Sequence, residues 1–131
     1  MTTNEIKNNP FGPVVYQYTR AQAIEDGVLV EVTETAREAG IRFPTAVTAA
    51  VWELCVAVPE SASWQDETGR LGDVLTLFRH AVAENASGAQ VNFTVGVQND
   101  DRPPRRVRLK ALCGPGDLGE PVITIMLPEE D

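Results

Sequence analysis

The spacing of apolar residues changes once along this chain, and that change decides which folds are open to it. Within 44–58 and 69–84 the apolar residues recur every three or four positions, which is the period of an α-helix. From residue 91 onward they recur at every second position, which is the period of a β-strand. Helices followed by strands are typical of an α+β fold.

Capping residues and prolines predict four helices in the first part of the chain. Thr19 followed by Gln22 has the sequence of a capping box, so a short helix begins after Thr19 and ends at Gly27. Thr33 is a suitable cap for a second short helix, and Pro44 occupies a position typical of the first residue of a third. The helices are predicted at 20–26, 33–40, 44–58 and 69–84, and the apolar run 28–32 is predicted to be a buried linker.

Two alternating runs predict strands at 91–98 and 106–113, and a third strand is predicted at 121–127. The third run is apolar at nearly every position, which indicates a central strand or one covered on both faces. The links between them are short, which favours an antiparallel meander. The third and fourth helices are expected to cover one sheet face, which carries Phe93, Val95, Leu109 and Ile125. We therefore expect an α+β fold in which N-terminal helices pack on a C-terminal three-stranded antiparallel β-meander.

Composition indicates one domain, 1–131, with 1–10 flexible. A chain of 131 residues with 43% hydrophobic residues can form a stable core without disulfide bonds or metal ions. Its two cysteines, Cys55 and Cys113, lie far apart in sequence, and Cys55 falls on an apolar stripe as a buried residue. The start of the chain has no signal-peptide pattern and no run is apolar enough to cross a membrane, so we expect a cytoplasmic protein with reduced thiols.

The motifs that would carry chemistry are missing or incomplete. The glycine-rich stretch 114–119 is followed by Glu120 and Pro121 instead of the lysine of a phosphate-binding loop, so a hairpin turn explains it better. His80 is the only histidine and is predicted to lie at the surface, and the cysteines lack metal-ligand spacing. We expect a protein that is not an enzyme and has no catalytic residues, no cofactor and no metal.

Five acidic residues are clustered between residues 25 and 38. The net charge is −8, from 19 acids and 11 bases, and it disfavours binding to nucleic acid or to anionic lipid. Five acids surround a single base, Arg37, and either form a solvated helix face or bind a basic partner. These five, which we name the acidic patch, are Glu25, Asp26, Glu31, Glu34 and Glu38.

A second charged feature, which we name the basic stripe, is formed by Arg106, Arg108 and Lys110 on the exposed side of the predicted second strand. Arg102 and Arg105 precede it. The stripe is expected to meet the acidic helices or the acidic tail 129–131, or to guard a sheet edge. Binding to nucleic acid is the lesser alternative, because the whole chain is acidic.

Several segments resemble a family of small uncharacterised bacterial proteins carried by plasmids and phages. The resemblance rests on the opening run 16–30, which reads YQYTRAQAIEDGVLV, and on the closing runs CGPGD at 113–117 and GEPVITI at 119–125. Shorter matches fall at 38–40, 43–44, 51–52, 69–71, 73–75 and 109–110. The family that it resembles has no agreed activity, so the resemblance implies no catalytic residue.

Small acidic proteins of mobile elements often antagonise host defence, for example by presenting carboxylates in place of DNA phosphates. The leading hypothesis is a non-enzymatic inhibitor of a host nucleic-acid-handling complex, similar to an anti-CRISPR protein, that binds through the acidic patch. One alternative is a small enzyme or ligand-binding domain with a pocket near Tyr16, Tyr18, Arg20 and Gln22, in which Arg20 holds an anion. Another is an accessory subunit that dimerises through its sheet edge.

Overall fold

The computed structural model describes residues 18–84 and 88–131, and these form one mixed sheet with helices on both faces. The helices are α1 (Arg20–Glu25), α2 (Thr33–Glu38), α3 (Ala49–Val51) and α4 (Glu67–Glu84), with a π-helical turn at Trp52–Val56 and a 3₁₀ turn at Glu60–Ala62. The strands are β1 (Leu29–Glu31), β2 (Thr45–Thr48), β3 (Gln90–Val97), β4 (Arg105–Pro115) and β5 (Pro121–Met126). The predicted flexibility of 1–10 lies outside the described residues.

The prediction of a three-stranded antiparallel meander is wrong. The sheet has five strands in the order β1-β2-β5-β4-β3, and it is mixed because β2 runs parallel to β5. The three predicted strands do pair antiparallel, and β5 lies between β4 and β2, in the interior position that its nearly continuous apolar sequence indicated. The longest helix, α4, lies in the middle of the chain, between β2 and β3, and not before the whole sheet.

Two segments of the first half form strands where a linker and a helix start were predicted. The apolar linker contains β1, which pairs antiparallel with β2. Pro44 precedes a strand instead of starting a helix, and its carbonyl accepts from the backbone N–H of Ile123. The strand that follows is rich in β-branched residues, which suit a pleated surface. Helix begins only after Thr48, whose hydroxyl accepts from the N–H of Val51.

The core lies on one face of the sheet, which we name the inner face. Phe93, Leu109 and Ile125 are buried there, as predicted, and the inner side of α4 packs against them through Leu75 and Phe78. The rings of Phe78 and Phe93 are 5.7 Å apart and tilted, a favourable aromatic geometry. Burial of this face is the main source of stability for the sheet.

The opposite face, which we name the outer face, is unevenly covered. On its β2 and β5 side α1 is attached through Arg20, and Ala46, Val122 and Met126 are buried. On its β3 and β4 side the residues that point outward are polar, and most of them are exposed. This half of the outer face carries the basic stripe.

Candidate functional site

The acidic patch lies around the short edge strand β1. Glu25 is the last residue of α1 and Asp26 follows it, Glu31 ends β1, and Glu34 and Glu38 lie on α2. All five side chains are exposed. The structure therefore brings residues from three successive elements to one end of the sheet.

The carboxylates of the patch bond to neutral groups or to none. Asp26 accepts a hydrogen bond of 2.7 Å from the hydroxyl of Tyr18, and Glu31 accepts one of 2.9 Å from the hydroxyl of Thr33. Among the described residues the ion pair present is Arg102 with Asp100, at 3.2 Å. None of the five carboxylates forms an ion pair with a described base, although Glu31 lies within electrostatic range of Arg20.

A cleft of about 220 Å³ adjoins the patch. Glu31 lines it from β1 and Glu67 from the first turn of α4, and half-buried Trp52 lines it between them. An aromatic ring with nearby carboxylates suits a cationic side chain, because the ring face and the carboxylates are both negative. The sequence did not indicate that Trp52 and Glu31 line the same cleft.

The residues of the alternative ligand site are bonded within the fold. Arg20 donates from Nη1 to Thr124 Oγ1 at 2.6 Å and from Nη2 to the carbonyl of Ile123 at 2.8 Å. Gln22 completes the predicted capping box with Thr19, and Tyr18 bonds to Asp26 as described above. An anion at Arg20 would have to compete with these internal acceptors. Tyr16 lies outside the described residues.

The glycine-rich turn between β4 and β5 has a structural role that the sequence did not indicate. Asp117 in this turn accepts from the backbone N–H groups of Arg20 and Ala21, at 2.8 and 3.0 Å. These two hydrogen bonds lower the pKa of the Asp117 carboxyl below its usual value. The turn thus holds the start of α1 onto the sheet.

Arg70 is a buried cation that sequence reasoning missed. Its guanidinium donates to the carbonyls of Leu54, Cys55 and Gln98, at 3.3, 3.0 and 3.1 Å, and to Asn99 Oδ1 at 2.7 Å. Burial lowers the pKa of Arg70. The available signal was its position four residues before Val74, which places a charge on the apolar stripe of α4.

The two cysteines differ in environment. Cys55 is buried in the core, as predicted, and burial raises the pKa of its thiol to about 11. Cys113 is exposed and lines an apolar pocket of about 260 Å³ with Phe43, Phe78 and Leu112. His80 is exposed on α4, as predicted. In the described ranges no group of three or more acidic, histidine or cysteine side chains is arranged to hold a metal.

The basic stripe does not meet the predicted acidic partners. Arg106 and Arg108 are exposed and Lys110 is half-buried, and none forms an ion pair with a described carboxylate. In the acidic tail, the carboxylate of Glu130 accepts from the hydroxyl of Thr48 and from the N–H of Leu127. The stripe lies on β4, one strand inside the sheet edge. Of the described helices, none has the length and apolarity that a bilayer crossing needs.

Comparison with known proteins gives one match. The model of a family described as "Family of unknown function (DUF6573)" matches residues 8–131. No curated protein and no solved structure matches the chain. The match covers both the acidic patch and the basic stripe.

Proposed function

The chain belongs to this family of unknown function, and we propose from its surface that it acts by binding a basic protein partner through the acidic patch. The observation that carries the proposal is the group of five exposed carboxylates around β1, of which none forms an ion pair with a described base. A surface of this kind attracts a basic partner over a distance and selects against acidic ones.

The partner that fits best is a nucleic-acid-handling complex of the host cell. Such complexes bind phosphates in basic channels, and a row of carboxylates presents similar charge to the same arginine and lysine side chains. The specific form of the proposal is an inhibitor, encoded by a mobile element and acting in the cytoplasm, that occupies this channel as an anti-CRISPR protein or DNA mimic does. Direct binding to nucleic acid or to a membrane is not part of the proposal.

The cleft beside Glu31 gives this interaction a position for one anchoring side chain. At about 220 Å³ it is smaller than most pockets for drug-sized ligands, which begin near ~300 Å³. An arginine or lysine of the partner would lie between Glu31 and Glu67, against Trp52. Anchors of this type often dominate the binding energy of an interface.

Charge reversal tests the proposal. The tagged protein is used to capture complexes from nuclease-treated host lysate at low and high salt, and the captured complex is then bound to duplex DNA. We expect capture to be lost at high salt, and we expect the protein to displace the DNA. The double variant E31K/E34K should lose both properties, because two attractions become repulsions.

The matched control is E84K/E129K, which makes the same charge change at two exposed positions outside the acidic patch. It should capture as the unmodified protein does. Equal capture by E31K/E34K, or capture that high salt does not weaken, would remove the acidic patch from the mechanism. Circular dichroism spectra of both variants establish that any loss is not caused by unfolding.

A further inference from the structure

The edge strand β3 offers a binding surface that is distinct from the acidic patch. It is the outermost strand on its side of the sheet and pairs only with β4 in the described part of the chain. At about 3.4 Å per residue, its eight residues present an edge of roughly 27 Å. Such an edge is a template on which another extended chain can pair.

The pairing register shows which groups face outward. The N–H of Cys113 donates to the carbonyl of Ala89 at 2.8 Å, so alternate residues of β3 from this pair onward bond to β4. The backbone N–H and C=O of the other residues then point away from the sheet. These residues are Gln90, Asn92, Thr94 and Gly96, and no hydrogen bond from a described residue reaches their backbone groups.

This edge also lacks the usual protection against pairing. Natural edge strands carry lysines, prolines or bulges, or are very short. β3 has the sequence QVNFTVGV, which contains no charge and no proline, and its register with β4 runs without interruption. By contrast β1, at the other edge, has three residues and ends on Glu31.

The charges beside the edge indicate what would pair there. Arg106 and Arg108 lie on β4 opposite Gly96 and Thr94, on the same face of the sheet. Gly96 has no side chain, so the side chain of Arg106 can extend across β3 towards a strand added at the edge. Both arginines are exposed and neither pairs with a described carboxylate.

We propose that β3 binds an extended acidic segment of a partner protein as an added strand, with acidic side chains at alternate positions facing Arg106 and Arg108. The outward backbone groups supply affinity and the arginines supply selectivity. Peptides that add to the edge of a sheet generally bind in this way, with backbone hydrogen bonds for affinity and side-chain contacts for specificity. The negative charge of the rest of the molecule opposes this only weakly, because ions screen charges beyond about 8 Å at physiological salt.

The test uses the full chain and the peptide acetyl-(Glu-Thr)₄-amide, with acetyl-(Lys-Thr)₄-amide as its counterpart. Amide hydrogen exchange is followed by NMR at the four outward residues of β3. We expect the acidic peptide to slow exchange at Asn92, Thr94 and Gly96 by tenfold or more at saturation, and the basic peptide to leave it unchanged. Val91 and Val95, which bond to β4, are internal references.

Two variants separate the contributions of charge and backbone. R108E should raise the Kd of the acidic peptide about tenfold or more, whereas R42E, an equal change at an exposed arginine away from the stripe, should not. T94P removes an outward donor without breaking the ladder with β4, so it should abolish binding while the circular dichroism spectrum is retained.

Three results would overturn the proposal. Slow exchange at Asn92 and Thr94 in the free chain at low concentration would show that the edge is already paired within the chain. Protection that rises with protein concentration, together with a doubled mass, would identify a second copy as the occupant. Binding of an oligonucleotide to Arg106 and Arg108 with no change in exchange at β3 would make the stripe a nucleic-acid surface.

Discussion

At the scale of single residues, Arg70 shows how a buried charge is accommodated without a carboxylate. The π-helical turn ends close to Pro59, which has no N–H to offer to the carbonyl of Cys55. The guanidinium of Arg70 bonds to that carbonyl and to the carbonyl of Leu54. A cation at the C-terminal end of a helix is also favoured by the helix dipole. Arg70, a residue of α4, therefore supplies hydrogen bonds to the carbonyls at the end of the π-helical turn.

Replacing Arg70 by methionine tests this role. The apolar side chain leaves the carbonyl of Cys55 without its donor, whereas the carbonyls of Leu54 and Gln98 still accept from Asn99 Nδ2 and Gln65 Nε2. A buried unpaired carbonyl costs about 1–3 kcal/mol. We expect R70M to lower the free energy of unfolding in urea by roughly 2 kcal/mol. R42M, at an exposed arginine, should change it by less than about 0.5 kcal/mol. Equal values for the two variants would contradict the role.

The two thiols should react at different rates. Cys113 is exposed and should react with a disulfide reagent in the native protein, whereas Cys55 is buried with a pKa raised to about 11 and should react only on unfolding. Labelling followed by mass spectrometry at pH 8, with C113S as the control, measures this. Fast loss of both thiols in the native state would show that Cys55 is accessible.

The raised pKa of Cys55 also predicts a loss of stability in alkali. The unfolded chain gives up this proton near pH 9 and the folded chain near 11, so the stabilisation is complete below pH 9 and is lost as the pH rises towards 11. The difference between the two pKa values corresponds to about 2–3 kcal/mol. Urea unfolding between pH 7.5 and 10.5 should show a steeper decline for the wild type than for C55A. Parallel declines would contradict the prediction.

At the scale of elements, α1 shows a short helix held by its surroundings. Six residues are too few for a helix to persist alone in water. A capping box closes the first turn, Gly27 with φ of +80° ends the helix, and Asp117 and Arg20 join it to the sheet. The sequence predicted the cap and the stop because both are local, but not the partner in a turn far along the chain.

Replacing Asp117 by asparagine should loosen α1 in a pH-dependent manner. The amide group keeps one acceptor and loses the charge, so the amides of Arg20 and Ala21 should exchange faster in D117N. Because the pKa of Asp117 is lowered in the fold, its stabilisation is present above the unfolded pKa of about 4 and is lost as the pH falls through the folded value. The difference between wild type and D117N should therefore be present at pH 6 and should shrink as the pH falls below about 4.

The two strands that the sequence did not predict, β1 and β2, are both short. β3 and β4 show regular alternation and β5 is a nearly continuous apolar run, and all three were predicted, as was α4 to within two residues at its start. β1 and β2 are too short to show a period, and the proline at 44 suggested a helix instead. β2 pairs with β5, and the paired residues Thr45 and Ile123 are 78 positions apart (123 − 45), a contact that a local pattern cannot indicate.

At the scale of the whole molecule, β5 joins the two halves of the chain. It pairs in parallel with β2 from the first half and antiparallel with β4 from the second. The acidic patch lies beside the β1 edge of this sheet and the basic stripe lies beside the β3 edge, so the fold separates the opposite charges. The surfaces proposed for the basic partner and for the acidic strand are therefore at opposite ends of one rigid sheet.

Truncating Ile125 tests whether this sheet unfolds as one unit. Ile125 is fully buried and pairs with Val47 on one side and Ala111 on the other, so I125A leaves a cavity that both halves line. We expect a loss of about 2–5 kcal/mol in the free energy of unfolding. Trp64 is first replaced by phenylalanine, so that Trp52 is the remaining tryptophan. Fluorescence of Trp52 and far-ultraviolet circular dichroism should still give coincident transitions, because neither half keeps a complete sheet without β5. L118A, at a side chain that is 92% exposed, should leave the stability unchanged. Two separate transitions in I125A would show that the halves fold independently. The acidic patch and the edge of β3 would then belong to two separately folding units.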